Sequence, residues 1–360
     1  MQKKVLIVDD SALMRRVLSD IIDSDNQFAV EDTASNGLNA LDLLLAGKQY
    51  DIILCDIKMG KMDGVEFLRE MNKNNIHIPV LIVSSIASES ASETIEALAL
   101  GAFDFVKKPN GTADFSFSDF AEKILSRIHC VFDSDSHKEE KKFAPIEKKQ
   151  SKPVSLDRAG GKSNVKKKKG NHLLVIASST GGPKALHNVI PLFPKDFPYP
   201  VVLVQHMSQG FTMSLAKRLD ETSPIRVKEA EDGEKLKPGT VYIAAGGKQC
   251  ELIEKDGNYY LSENDKPAQG GLKPCADIFF ESLVNTSIDK VYCVVLTGMG
   301  ADATEGIRLT TESKETYVVA QNRETCVVYG MPRAVEQAGL VDEMVPLEEV
   351  TRTILNKIGV

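Results

Sequence analysis

The stretch Lys4–Asp10, KVLIVDD, decides how the first third of the chain folds. Four consecutive apolar residues, Val5–Val8, end on two aspartates. Beyond Asp10, Leu13, Val17, Leu18, Ile21 and Ile22 recur at helical spacing, and Ser11 stands where an N-cap belongs. A short apolar strand that runs into an amphipathic helix is the opening of a strand–helix–strand unit.

The same rhythm returns along the chain. Strand-like runs occupy Ile52–Cys55, Val80–Val83 and Phe103–Val106, with a weaker one at Phe28–Val30, and Gly37, Gly47, Gly64 and Gly101 punctuate the rest. Five such units predict an α/β fold, a flavodoxin-like doubly wound domain over residues 1–130 with a parallel sheet covered on both faces. Residues 131–170 lose the apolar periodicity and are rich in Lys, Glu, Ser, Pro and Gly, the composition of a flexible linker. The rhythm resumes over 171–360, with buried-strand candidates at Leu173–Ala177, Val201–Val204, Val241–Ala244, Val291–Leu296 and Tyr317–Ala320. A second α/β doubly wound domain with a parallel sheet is expected there.

Composition narrows the function classes. Hydrophobic residues make up 42% and charged residues 26% of the 360, the balance of a soluble globular protein. No run of 18 apolar residues exists, and the apolar run near the N-terminus is too short for a signal-peptide core, so a cytoplasmic protein without membrane insertion is expected. The six cysteines form no CxxC pair, which argues against a structural zinc site or a disulfide framework. The net charge of −7 is uneven: Lys138–Lys169 holds 12 basic and four acidic residues, a segment of +8 against −15 for the remainder. Without interleaved aromatics this reads as a solvated tether, and no nucleic-acid partner is expected.

In an open parallel sheet the functional crevice lies at the carboxyl ends of the strands. Asp9 and Asp10 close the first strand and Asp56 the third, Ser84 closes the fourth, and Lys108 precedes Pro109 after the fifth. Taken singly, each has an ordinary structural account as a cap or turn residue. Together, three carboxylates call for a hard cation such as Mg²⁺, and a hydroxyl and an ammonium beside them can hold a phosphoryl group on Asp56. The motifs KVLIVDDSALMRR, DIILCDIKMGKMDG, PVLIVSS and DFVKKP resemble the receiver domains of two-component response regulators. The resemblance implies phosphorylation of Asp56 by a chemotaxis histidine kinase. It assigns Asp9, Asp10, Asp56 and the carbonyl of Lys58 to Mg²⁺, and Ser84, Phe105 and Lys108 to the switch. Gly60 stands where the family usually has proline.

The second half opens with LLVIASSTGGPKAL, a strand, a tight turn and a helix with Pro183 in its first turn. A serine at such a turn lies beside free helix-start N–H groups; the simpler account is that Ser178, Ser179 and Thr180 cap the helix. VVLVQHM places His206 after another buried strand, and LTGMGADA places Asp302 after a third, behind a glycine-rich turn. A strand-end serine, histidine and aspartate make a nucleophile, a general base and an orienting carboxylate. The G-x-S-x-G elbow is absent, which disfavours the ordinary α/β-hydrolase fold.

The motifs ASSTGGP, VQHMSQGFT and LTGMGAD resemble the catalytic domain of chemotaxis protein-glutamate methylesterases. The resemblance implies Ser179 as nucleophile, His206 as base, Asp302 as orienter and the backbone N–H of Met299 as oxyanion donor. It implies hydrolysis of glutamate γ-methyl esters on methyl-accepting chemotaxis receptors, deamidation of receptor glutamines, and no cofactor in the esterase site. Departures are Ala177 and Ala303, usually glycine, and Ser178, usually alanine, which leaves two adjacent serines as candidates. Two rivals remain. A DNA-binding output domain would carry a basic recognition helix, whereas this half is strand-rich and acidic at Glu229–Glu234. A catalytically dead adaptor would not require a complete triad.

Overall fold

The computed structural model describes residues 2–84, 88–109, 116–132 and 170–360. The N-terminal part alternates strictly: β1 (Lys3–Val8), α1 (Ala12–Asp23), β2 (Phe28–Ala34), α2 (Gly37–Leu45), β3 (Ile52–Cys55), α3 (Gly64–Lys73), β4 (Val80–Ser84), α4 (Ser88–Ala99), β5 (Asp104–Lys107) and α5 (Phe117–Phe132). The five strands form one parallel sheet in the order β2-β1-β3-β4-β5. Period-two alternation sends Val5 and Ile7 to one core and Leu6 and Val8 to the other, as a sheet covered on both faces requires. Ser11 accepts the Met14 N–H at 3.3 Å and starts α1 as its sequence position predicts. Helix α5 extends two residues into the segment read as linker; residues 133–169 of that segment lie outside the described residues.

The C-terminal part contains β6 (His172–Ser178), α6 (Gly182–Val189), β7 (Val201–Gln205), α7 (Phe211–Thr222), β8 (Arg226–Glu229), β9 (Thr240–Ile243), β10 (Gln249–Lys255) and β11 (Asn258–Asn264). It continues with α8 (Ala276–Leu283), β12 (Lys290–Val295), α9 (Thr304–Ser313), β13 (Glu315–Gln321), α10 (Met331–Gln337), β14 (Glu343–Val345) and α11 (Val350–Ile358). Seven strands form a parallel sheet in the order β14-β13-β12-β6-β7-β9-β8. The first strand of this domain, β6, sits at the centre with β7 on one side and β12 on the other, so the strand order reverses there. That reversal opens a crevice at the carboxyl ends of these three strands.

The edge strands β8 and β14 are short and carry charges, so they lack the apolar runs that mark the interior strands. The antiparallel hairpin β10–β11 turns on Asp256 and Gly257, both at positive φ (51° and 68°), the geometry of a two-residue primed turn. Ala303, the residue before α9, has φ 79°, a left-handed conformation that favours glycine. Among the described residues no helix is long and apolar enough to cross a membrane.

The hairpin backs the loop that follows β9. Glu263 on β11 is half-buried, accepts the Ala245 N–H at 3.4 Å and feels the charges of Glu229 and Asp232. Burial pushes its carboxyl up to about 7 despite donors from Cys250 and Ala245. The unfolded carboxyl titrates near 4.3, so folding holds this proton longer, and the associated stability is lost as pH rises through about 7. Glu263→Gln is therefore expected to melt at a higher temperature than the parent at pH 8. That advantage should disappear below about pH 4; thermal melts across pH provide the check.

Candidate active site

Ser179 and His206 directly follow β6 and β7, and Asp302 lies in the loop that runs from the end of β12 to α9. The backbone locks these ends side by side. His206 N–H donates to Ser178 O at 3.0 Å, and Ser179 N–H donates to Thr297 O at 3.1 Å. Thr297 is itself held: its N–H donates to Gln321 Oε1 at 2.8 Å and its hydroxyl donates to Thr180 O at 2.9 Å.

His206 and Asp302 form the tightest pair of the site, Nε2 to Oδ2 at 2.6 Å. The remaining ring nitrogen, Nδ1, is left for a partner on the other side. Asp302 is buried, yet each of its oxygens is doubly engaged. Oδ2 also accepts the Ala276 N–H at 2.6 Å, and Oδ1 accepts the Asp277 N–H at 2.9 Å and the Cys275 thiol at 3.1 Å. Burial raises the carboxyl's proton affinity, but the His206 hydrogen bond and charge and the two N–H donors outweigh it and hold it well below the usual carboxylate range. The neighbouring Asp277 shifts the other way, because burial and the charge of Asp302 exceed the stabilisation from the Gly306 N–H.

The two adjacent serines have different surroundings. Ser178 is fully buried and its hydroxyl donates to Gln205 Oε1 at 2.7 Å. Ser179 is 9% exposed, and among the described residues its hydroxyl has no hydrogen bond to His206. Gln205 Nε2 donates to the carbonyls of Ser179 (2.9 Å) and His206 (3.1 Å), pinning both residues where the strands part. Helix α6 is capped by Gly181 without a side-chain bond, so the capping account of these hydroxyls does not apply. Gly182 packs closely on the neighbouring strand end: a Cβ there would lie 2.1 Å from Gln205 Oε1. Gly298, the residue before Met299, likewise presses on the serine: a Cβ there would lie 2.8 Å from Ser179 Cβ.

Gln205, Thr297, Cys275 and the start of α8 were not singled out by sequence. Gln205 and Thr297 lie inside quoted motifs, beside His206 and Gly298, where a buried amide or hydroxyl at a strand end is a detectable signal. Nothing in the pattern around Cys275 points to Asp302, 27 residues away.

In the N-terminal domain the acidic crevice forms as the strand ends predict. Asp9, Asp10 and Asp56 each place a carboxylate oxygen within 4.8 Å of the others. Lys108 Nζ bridges Asp9 (2.8 Å) and Asp56 (2.7 Å), and the Lys108 N–H donates to Ser84 O at 2.7 Å. Burial pushes the Asp56 carboxyl up, more than Lys108 pulls it down. Three hard oxygen donors converging on one point suit Mg²⁺. Lys58 follows in the same loop with its ammonium turned to Glu93 at 3.6 Å.

The two domains meet beside Ser179. The Gly181 N–H donates to Phe103 O at 2.9 Å, and the Thr180 hydroxyl donates to Asp104 Oδ2 at 2.7 Å, an oxygen shared with Arg127 at 2.8 Å. Phe105 packs on Phe211 with ring centroids 4.4 Å apart, and the Cys130 thiol donates to Met299 Sδ at 3.0 Å.

Comparison with known proteins agrees with this architecture. The CheB methylesterase family profile matches residues 174–354, and the response regulator receiver domain profile matches residues 5–116. The chain is 39% identical over 361 residues to "Protein-glutamate methylesterase/protein-glutamine glutaminase 1" of Syntrophomonas wolfei, covering 99% of both chains. It is 38% identical to the Bacillus subtilis protein-glutamate methylesterase/protein-glutamine glutaminase, covering 98% of this chain and 97% of that one. The crystal structure of the Thermotoga maritima CheB methylesterase catalytic domain aligns with a TM-score of 0.50 at 41% identity, over 52% of this chain and 98% of that one. With the strand-end serine, histidine and aspartate of its second sheet and the acidic crevice of its first, the chain belongs to the CheB methylesterase family and carries a response regulator receiver domain ahead of the catalytic one.

Proposed function

We propose that the chain is a phosphorylation-regulated hydrolase of glutamate γ-methyl esters on methyl-accepting chemotaxis receptors, working in the cytoplasm with Ser179, His206 and Asp302 as its triad. The observation that carries this reading is the buried His206–Asp302 pair at 2.6 Å beside a serine turn on the neighbouring strand. Ser179 Oγ attacks the ester carbonyl while His206 accepts its proton through Nδ1, and Asp302 stabilises the imidazolium. The tetrahedral oxyanion is held by backbone N–H groups, that of Met299 foremost. Methanol leaves with the proton from His206. Water then attacks the acyl-serine by the same route and restores the glutamate carboxylate. On a receptor glutamine the leaving group is ammonia, which gives deamidation. The chemistry needs no cofactor in this site.

The receiver supplies control. Asp56 accepts a phosphoryl group from a chemotaxis histidine kinase; Asp9, Asp10, Asp56 and the Lys58 carbonyl hold Mg²⁺, which when bound offsets the negative charge of the transferring group. Lys108 and Ser84 then contact the phosphoryl oxygens, and Phe105 is the switch aromatic. In the packed arrangement Asp104 grips Thr180, next to the nucleophile, and β5 covers the turn. Phosphorylation shifts the population away from this arrangement only insofar as the phosphoryl group interacts differently with the two states.

Ser179→Ala is expected to abolish methanol release from methylated receptor membranes, a loss of several orders of magnitude. Ser178→Ala should keep most turnover and cost about 1 kcal/mol in stability, because Gln205 Oε1 loses its donor. The reverse pattern would make Ser178 the nucleophile.

Asp302→Asn should cost both turnover and melting temperature. An amide NH₂ must face the donors of His206 and Ala276 or those of Asp277 and Cys275. Full activity in that variant would remove Asp302 from the triad.

Asp104→Ala is expected to raise basal turnover without phosphodonor, by up to about tenfold for loss of one charge-assisted hydrogen bond. Asp56→Ala should stay at the parental basal level with or without donor. A basal rate unchanged by Asp104→Ala would mean that the contact does not restrain the site.

A further inference from the structure

The donor shell of Asp302 contains a side chain that the triad scheme does not use. Cys275 occupies the N-cap position of α8, where Ser, Thr, Asn or Asp would ordinarily accept an N–H of their own helix. Its sulfur makes no hydrogen bond of cap geometry, and the Ile278 N–H that faces it offsets the effect of burial only in part. Its thiol turns outward and donates to Asp302 Oδ1 at 3.1 Å, while the first two N–H groups of α8, from Ala276 and Asp277, go to Oδ2 and Oδ1. The carboxylate thus caps the helix from outside, and the N-cap residue gives its thiol proton to that carboxylate.

The position of Cys275 is fixed independently of Asp302. Its N–H donates to Gln249 Oε1 at 2.9 Å, and Gln249 Nε2 donates to Leu272 O at 3.0 Å and Pro267 O at 3.2 Å. Gln249 and Cys275 are both buried. Burial and the Asp302 charge push the thiol up to about 12, so it stays a donor across the working range.

We infer that Cys275 is a positioning residue of this esterase: its thiol, set by Gln249, satisfies Oδ1 and so keeps Oδ2 of Asp302 aimed at His206 Nε2. This rests on the proposed triad. Without the thiol, Oδ1 retains only the Asp277 N–H. The carboxylate can then pivot about its bond, and it presents more uncompensated charge to the imidazole. Both consequences reach the reaction through His206. The titratable groups facing this cluster are Asp277 beside Asp302 and Glu281 one turn along α8. They are unchanged by substitution at 275.

The test is the pH dependence of methanol release by the full-length enzyme from methylated receptor membranes, for Cys275→Ala and Cys275→Ser. Cys275→Ala should lower kcat about threefold to tenfold with KM unchanged. It should also move the acid limb of kcat/KM to higher pH by roughly 0.3 to 0.7 unit, because imidazolium is favoured. Cys275→Ser retains a donor of greater strength and should restore kcat and hold the limb at or below its parental position. Rates are normalised to folded fraction by circular dichroism. If the alanine variant does not fold, the serine variant decides, since a limb displaced upward by serine contradicts the inference. Parental kcat and limb in Cys275→Ala overturn it outright. Asp302→Asn is measured alongside. If it retains activity, the triad reading fails and this inference falls with it. If it is inactive while Cys275→Ala is parental, only the role of Cys275 is rejected.

Discussion

One buried anion organises the catalytic half of this protein. Asp302 lies away from water, and a carboxylate there is costly unless donors surround it. The donors come from two separate places: the loop after β7 supplies His206, and the start of α8 supplies two N–H groups and a thiol. Asp302 itself sits on a third, the loop between β12 and α9. The constraint therefore joins three segments distant in sequence, and it leaves the second ring nitrogen of His206 uncommitted to Asp302. The helix-start N–H groups favour the ionised form, so the carboxylate is available to orient and to balance charge at ordinary pH.

The serine side of the crevice is held by neutral hydrogen bonds instead. Beyond Ser178 and Gln205 the strands part, and the sheet no longer pairs the carbonyls of Ser179 and His206. The Gln205 amide takes both. A buried amide with all its bonds made rigidifies a strand end without the desolvation cost of a charge. The pressure of Gly298 on Ser179 and of Gly182 on Gln205 explains why these positions lack side chains.

The two domains touch along a short strand. Strand β5 begins with Asp104, bonded to Thr180 beside Ser179, and is followed by Lys108, which bridges Asp9 and Asp56. Four residue steps along a strand span roughly 13 Å. Phe105, between them, packs against Phe211 at the start of α7. A change of charge at one end of this strand and a change of access at the other thus concern a single rigid element with aromatic packing along it.

Much of this was legible in the chain itself. Interior strands buried on both faces must be continuously apolar, which is why Val5–Val8, Ile52–Cys55, Leu173–Ala177 and Val201–Val204 announce themselves. Residues that end such strands fall in the crevice by topology alone, which exposed Asp9, Asp56, Ser179, His206 and Asp302. The edge strands β8 and β14 escaped because an edge needs charge and little apolar surface. The hairpin β10–β11 escaped although its Asp256-Gly257 turn was readable. What no pattern along the chain contains is the partner of a side chain. That Ser178 serves Gln205, that α8 and Cys275 hold Asp302, and that Asp104 of one domain meets Thr180 of the other are decided only when distant segments pack. Hydrogen bonds act over about 3 Å, and sequence separation carries no information about that distance.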